Sequence, residues 1–536
     1  MGKYDHLERD ALVRLLERRD AERQLGLVWE REELDAEAAL NHDFIALEQD
    51  ETLSHGDAPW PNLIIEGDNH DALRALRMSH AGRIRCIYID PPYNTGNRDF
   101  VYNDRFVDKT HRFRHSLWLE FMHQRLVLAR ELLADDGVIF VSIDDNELFR
   151  LGMLMDRVFG EDNFIANVIW QKMDSPKNTA QHFSDDHEYL VVYSRNKTVW
   201  RPNRLPRSDE MNARYKNPDN DPRGAWLLSD LAARNYYSLG TYPITTPSGR
   251  VIDGPPTGNY WRVSREKFDE LDRDNRVWWG KTGNNRPGIK RFLSEVREGV
   301  VPQTLWQWKD VGSTRHSKQE LNAIMGDDSA FFGTPKPTSL IERVLRIALK
   351  PDDIVLDFFA GSGTTAHAVA KLNAEDGGTR RFILVSSTEA TEDQPGKNLC
   401  RDVCAERVRR VLGGYINAKG EKVQGLGGGF AYLRTRRIAP YRLSTRIAHD
   451  EVWRALQLIA GHPLTPWQGH GFQHDGALGY LADFRAASLA ALREWLGDSA
   501  GAGRTLYSWT PQRIAALAPE ADIAPIPDFL QARFGR

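Results

Sequence analysis

The chain has 536 residues, 41% of them apolar and 27% charged, and a formal net charge of −4. That length exceeds one ordinary domain and suggests roughly three folding units. The absence of any run of about 18 apolar residues argues against a helical membrane span. The charged amphipathic start, MGKYDHLERDALVRLLERRD, does not read as a secretory signal, and three cysteines argue against a disulfide framework and fit a reducing cytosol. The net charge leaves nucleic acid open, because binding follows local basic runs such as 286–291 and 401–410 rather than the total.

In chain order, residues 1–60 read as helical, with Leu7, Leu12, Leu15 and Leu16 at helical spacing. A turn-rich stretch at Gly56, Pro59 and Pro61 closes them. Residues 61–200 alternate short apolar runs with helical patterns: Asn62–Glu66, DALRALRM, Ile84–Asp90, a long helix through Leu117, Phe121 and Leu126, then Val138–Ile143 and Tyr189–Tyr193. Apolar runs of this length bracketed by helices predict strands of a mostly parallel sheet buried on both faces, hence an α/β class. Residues 201–330 lose this periodicity and gain Pro, Gly, Asn, Arg and tryptophans at 226, 261, 278, 279, 306 and 308, which predicts an irregular, partly β insertion. The α/β pattern resumes over 331–440, with helix Leu340–Leu349, strand Ile354–Phe359, helix Thr364–Leu372 and strand Phe382–Ser386. Residues 441–536 read as a small appended α/β unit.

Two turns carry chemistry. Asp90-Pro91-Pro92-Tyr93 follows an apolar run, where parallel sheets place ligands. An aromatic amine is a poor nucleophile because its lone pair is delocalised into the ring. A carboxylate accepting from one N–H and a fixed carbonyl accepting from the other draw the nitrogen toward tetrahedral geometry. Prolines 91 and 92 fix the backbone that presents such a carbonyl, and Tyr93 offers a face to a base that has left its duplex. The second turn, Asp357-Phe358-Phe359-Ala360-Gly361-Ser362-Gly363, joins a strand to the helix starting near Thr364. Glycines there let a ligand approach the helix N-terminus, which favours a negative group. The third glycine of a dinucleotide fingerprint and the Gly-Lys-Ser/Thr end of a phosphate loop are both missing. Glu389, after the next strand, is the candidate for ribose hydroxyls.

With these motifs, and with NLIIEGDN, GVIFVSIDDNE, HEYLVVYSRN and TPKPTSLIERVL, the chain resembles the modification (Mod) subunits of type III restriction–modification systems, in the β group of amino-methyltransferases. The resemblance covers roughly residues 60–410. It implies a doubly wound seven-stranded core, S-adenosylmethionine as cofactor, double-stranded DNA as substrate and N6 of a flipped-out adenine as acceptor. By the same resemblance Asp90 and the Pro91 carbonyl hold the amine and Tyr93 stacks on the base. Asp357, Phe359, Gly361, Gly363 and Thr364 form the cofactor pocket, with Lys336 and Pro337 near the methionine end and Asp68 near the adenosyl group. It implies a homodimer, and a separate ATP-dependent subunit for any cleavage. The chemistry requires no metal. Many such subunits carry a larger recognition insertion than the one here.

Asn94, in the loop expected to close over the base, and Lys281, Arg286, Lys290 and Arg291 in the insertion are the candidate DNA contacts. Trp278 and Trp279 either stack on bases or fill the insertion's own core. Cys400 and Cys404 read as buried thiols. The competing readings are transfer to cytosine N4 or to an RNA base, and a binding subunit without catalysis, against which both intact motifs speak.

Overall fold

The computed structural model describes residues 9, 43–96, 101–102, 105–106, 114–326, 333–390, 396–417, 419–439, 446–497, 503–515, 517–519 and 521–535. The leucine pattern at positions 7–16 lies outside the described residues. The described chain forms two compact units, residues 204–302 and the remainder.

The larger unit is built on a ten-stranded sheet. In chain order its strands are β1 (Phe44–His55), β2 (Asn62–Glu66), β3 (Ile84–Ile89), β4 (Leu133–Ile143), β5 (Phe164–Gln171), β6 (His187–Ser194), β7 (Leu305–Trp306), β8 (Ile354–Asp357), β9 (Arg381–Ser386) and β10 (Phe430–Ile438). Their spatial order is β1-β10-β2-β9-β8-β3-β4-β6-β5-β7. The seven expected strands are the run from β2 to β5, in which β6 pairs antiparallel with β4 and β5. Strands β10 and β1 extend one edge, and the two-residue β7 extends the other. Strand β1 corrects the expectation that residues 1–60 are helical. Its burial pattern is irregular, so only pairing with β10 makes it a strand.

The central strands are short and apolar because both faces are covered. Ile84, Ile87 and Ile89 of β3 and Leu356 of β8 have no exposed surface and join one continuous core. That core includes α1 (Asn69–His80), α2 (Arg114–Leu132) and α3 (Leu148–Phe159). Asp68 starts α1 by accepting from the backbone N–H groups of His70 (2.9 Å) and Asp71 (3.2 Å). From β8 the chain crosses to β9 on one side, whereas from β3 it crosses to β4 on the other. The carboxyl ends of β8 and β3 therefore flank a topological switch point, where open α/β sheets form their binding crevice.

Residues 441–536 pack as part of this same unit. Arg83 donates to the carbonyls of Leu458 (3.1 Å) and Ile459 (2.9 Å), filling the carbonyl end of helix His449–Ala460. A four-stranded sheet of Phe472–Asp475, Leu478–Leu481, Thr505–Ser508 and Asp522–Pro525 follows.

The smaller unit begins at 204 and ends at 302, so it is shorter than the 201–330 insertion expected. Residues 303–326 belong to the larger unit, because β7 pairs with β5. A three-stranded antiparallel sheet (Val277–Trp278, Gly288–Phe292, Trp226–Asp230) covers a core containing Trp261, Phe268 and Trp279. Trp226, Trp261 and Trp279 are thus buried core residues, and Trp278 packs on Trp226 at 5.2 Å. Lys290, expected as a DNA contact, has its side chain wholly buried and paired with Asp219 and Asp221. It points inward because it alternates with exposed Arg291 along the strand. Lys281, Arg286 and Arg291 are exposed.

Removing one partner of a buried ion pair strands the other charge, at about 3–5 kcal/mol. Because Asp221 keeps Arg223 (3.0 Å) and Asp219 keeps Trp226 Nε1 (2.8 Å), Lys290→Met is expected to destabilise residues 204–302 by less than that, about 1–3 kcal/mol, read by hydrogen exchange across a guanidinium titration.

Candidate active site

Strands β8 and β3 are direct neighbours, in the register Val355 to Cys86 and Leu356 to Ile87. The two motifs, 267 positions apart from Asp90 to Asp357, therefore leave the sheet side by side.

At the end of β3, Asp90 Oδ1 accepts from Tyr93 Oη (2.9 Å) and from Lys336 Nζ (2.9 Å). Among the described residues nothing is bonded to its Oδ2. The Pro92 carbonyl is taken by Trp118 Nε1 at 2.7 Å, and Trp118 is fully buried on α2. Prolines thus lock the corner from within and tryptophan locks it from behind. Burial pushes the Asp90 carboxyl above the ordinary carboxylate range, Lys336 opposes this and Glu188 adds to it.

Glu188, on β6, was not singled out from sequence. It is half-buried, accepts from Tyr93 Oη at 3.0 Å and lies 3.3 Å from Lys336 Nζ. Burial raises its carboxyl, but Lys336 and then Lys172 more than reverse that, leaving it below its ordinary value. Residues Leu190–Ser194 of β6 are all buried, and that apolar run says nothing of an acid at the strand's open end.

Lys336, expected near the methionine end of the cofactor, places its ammonium in this corner. It donates to Tyr93 Oη at 2.9 Å and sits 4.9 Å from that ring's centre. Its backbone remains at the glycine turn, where its carbonyl accepts from Thr364 Oγ1 at 3.4 Å. Helix α4 (Thr314–Met325) precedes this segment, and Pro337 is the N-cap of α5 (Thr338–Ala348). One residue thus ties the two motifs together.

Asn94, expected to touch DNA, is completely buried. Its amide donates to Glu147 (2.6 Å) and to the Arg114 carbonyl (3.3 Å), and its backbone is left-handed with φ of 57°. An asparagine tolerates that conformation better than most residues, so Asn94 anchors the chain after Tyr93 rather than facing outward.

At the end of β8, Asp357 is turned inward. It accepts from the Phe359 N–H at 3.1 Å and the Thr365 hydroxyl at 2.6 Å, holding the turn from within. Gly361 and Gly363 have φ of 50° and 75°. A side chain at 363 would meet the Cys404 carbonyl at 3.0 Å, where buried Cys400 and Cys404 lie on a π-helix. Gly363 starts α6 (Thr364–Asp376). Phe359 is half-buried with its ring 5.9 Å from Phe121. The turn after β2 comes alongside, since Asn69 donates to the Phe358 carbonyl at 3.1 Å and Arg125 Nη2 donates to Asp68 at 3.0 Å. Glu389 is exposed after β9, left-handed at φ of 50°, and paired with Lys397 at 2.8 Å.

Arg407 was read from sequence only as part of a basic run. It is fully buried and donates to Ser362 Oγ (3.0 Å) and Thr364 Oγ1 (2.8 Å), with Glu320 3.5 Å away. A helix N-terminus backed by a buried guanidinium suits a ligand carboxylate. The half-buried Phe359 ring and the acids Asp68 and Glu389 complete a donor set that fits S-adenosylmethionine: carboxylate at 362–364, adenine against Phe359, ribose hydroxyls on an acid.

A doubly wound sheet with these two turns at its switch point defines an α/β methyltransferase. The chain belongs to the N6/N4 DNA methylase family, whose profile matches residues 84–393. Over 381 residues it is 39% identical to the StyLTI Mod subunit, a type III restriction–modification enzyme of Salmonella typhimurium, covering 65% of this chain and 57% of that one. It is 35% identical to the EcoPI Mod subunit of Escherichia phage P1, covering 61% and 58%. With the type II methyltransferase M.KpnI of Klebsiella pneumoniae it shares 30% identity, over 67% of this chain and 89% of that one. The chain therefore spans less than three fifths of the length of the two Mod subunits.

Burial raises the Asp357 carboxyl to about 7, with the Thr365 and Phe359 bonds only partly opposing it. A folded-state value above the unfolded one means full stability below pH ~4, lost as pH rises toward 7. Asp357→Asn is expected to remove this loss, so its stability relative to the parent chain should rise between pH 4 and 7 in urea titrations.

Proposed function

We propose that the chain is a site-specific DNA methyltransferase acting on adenine N6, and the modification component of a restriction–modification system. The observation that carries this reading is the shared cleft. Asp90, with one oxygen held and the other open, stands beside a glycine turn backed by Arg407, and Lys336 spans both. The Mod relatives support type III membership. The acid at the first position of Asp90–Tyr93 supports adenine over cytosine.

When bound, S-adenosylmethionine supplies an electrophilic methyl group on a sulfonium. Ser362, Gly363 and Thr364 hold its carboxylate, Phe359 its adenine, and Glu389 or Asp68 its ribose. Adenine N6 is out of reach inside a duplex, so the base is extruded, at a few kcal/mol. Tyr93 stacks on the flipped base while Asp90 Oδ2 and the Pro91 carbonyl each accept one N–H of the amine. Positioning supplies most of the acceleration. The amine becomes acidic only once methylated, and Asp90 then receives its proton.

Residues 204–302 are proposed to read DNA, with exposed Lys281, Arg286 and Arg291 on phosphates or guanine edges. A homodimer and a separate ATP-dependent restriction subunit complete the proposal. Among the described residues no helix is long and apolar enough to cross a membrane.

Incubation with labelled cofactor and duplex DNA, followed by nucleoside analysis, is expected to yield N6-methyl-2′-deoxyadenosine. Label in N4-methyl-2′-deoxycytidine would replace the base assignment, and label in neither would remove the reading. Asp90→Ala is expected to lower turnover by at least about 10³-fold, with cofactor affinity by calorimetry within about threefold of the parent.

A further inference from the structure

The corner around Asp90 carries more charge than orienting an amine requires. One carboxylate and one carbonyl suffice for that, yet a second acid and an ammonium are built in. Glu188 and Lys336 come from different elements, β6 and the segment before α5, and their side chains are 12% and 11% exposed. Both converge on the oxygen of Tyr93 and on the same side of Asp90. The other charged or titratable groups facing this cluster are already engaged. Lys172 is shared between Glu188 (3.5 Å) and Asp185 (3.0 Å), Asp144 is held by Asn146, Tyr88 by Ser142, and Asp357 by Thr365.

We propose that Glu188 is a positioning residue that holds Lys336 Nζ and Tyr93 Oη on one oxygen of Asp90 and keeps the Asp90–Lys336–Glu188 corner net negative. This rests on the methyl-transfer reading above. In that reaction the amine nitrogen forms the new N–C bond with its lone pair. The pair of the broken S–C bond stays on sulfur, positive charge arrives at nitrogen, and the nitrogen then releases a proton to solvent through Asp90 Oδ2. Were Lys336 to face Asp90 alone, the ammonium would cancel the carboxylate as charge arrives. With Glu188 present one negative charge remains, and preorganised charge in a site closed to water is where electrostatic stabilisation is largest. Glu188 also shares the single Tyr93 hydroxyl proton with Asp90, which pins the ring edge behind the face that meets the base.

The test uses the full chain with duplex DNA, comparing Glu188→Gln, Glu188→Asp and Lys336→Met. Glu188→Gln is expected to lower kcat about 10- to 100-fold, with cofactor and DNA Kd within about threefold, and Glu188→Asp to restore part of the loss. The two charge changes must move Asp90 in opposite directions. The acid limb of kcat shifts to lower pH in Glu188→Gln, which removes a like charge, and to higher pH in Lys336→Met, which removes an opposite one. The Asp90 carboxyl resonance of carbon-13-labelled protein, assigned with Asp90→Asn, should follow the same opposed shifts without any turnover. An unmoved resonance, shifts in one common direction, or a Glu188→Gln kcat within about twofold of the parent overturns the inference. An inactive parent chain whose Asp90 resonance still shifts as stated removes the methyl-transfer reading, and with it the role, while leaving the charge arrangement in place.

Discussion

The ammonium of Lys336 is the contact on which the rest of the site depends. Its head lies on Asp90 and Tyr93, and its carbonyl meets the Thr364 hydroxyl at the glycine turn. Two motifs far apart in the chain share a crevice because β8 and β3 pair in register, but strand pairing fixes only where they leave the sheet. The distance between an acid at one turn and a ligand at the other is then set by a residue that touches both. A lysine serves because its four-carbon stem spans the gap and its three donors satisfy several acceptors at once.

Around that contact the cleft is divided electrically. At the catalytic corner two carboxylates outnumber one ammonium. At the glycine turn a helix N-terminus and buried Arg407 present positive charge. The proposed placement of S-adenosylmethionine, carboxylate at the glycine turn and sulfonium toward Asp90, would set matching charge at both positions. The buried polar groups are costly unless bonded, and the structure meets that cost with Asp357, Thr365 and Ser362 on one side and Trp118 and Asn94 on the other. Through these bonds the residues fix the geometry of both turns.

Much of the fold was legible. Ile84–Ile89 and Ile354–Asp357 are short apolar runs buried on both faces, so composition and length identify them. The helix following Ile354–Asp357, Thr364–Asp376, is rich in small residues, and the helix Arg114–Leu132 buries leucines at positions 119, 126, 128 and 132. Strand β1 was not legible, because FIALEQDETLSH mixes charges with apolar residues and becomes a strand only beside β10. The boundary at 302 was equally hidden, since the two residues of β7 have no pattern of their own. In the insertion, Lys290 and Arg291 look alike in sequence, and strand pleating alone sends one into an ion cluster and the other to solvent.

What the sequence determined by itself is the chemistry of each turn: an acid followed by two prolines and an aromatic, and a glycine pair opening a helix. Those properties are local, fixed by covalent geometry and backbone freedom within a few residues. What only the tertiary structure decided is which groups face each other. Glu188, Arg407 and the ammonium of Lys336 enter the site from strands and helices whose proximity arises from sheet order. A charge acts through space on its neighbours, and neighbours in space are not written in chain order.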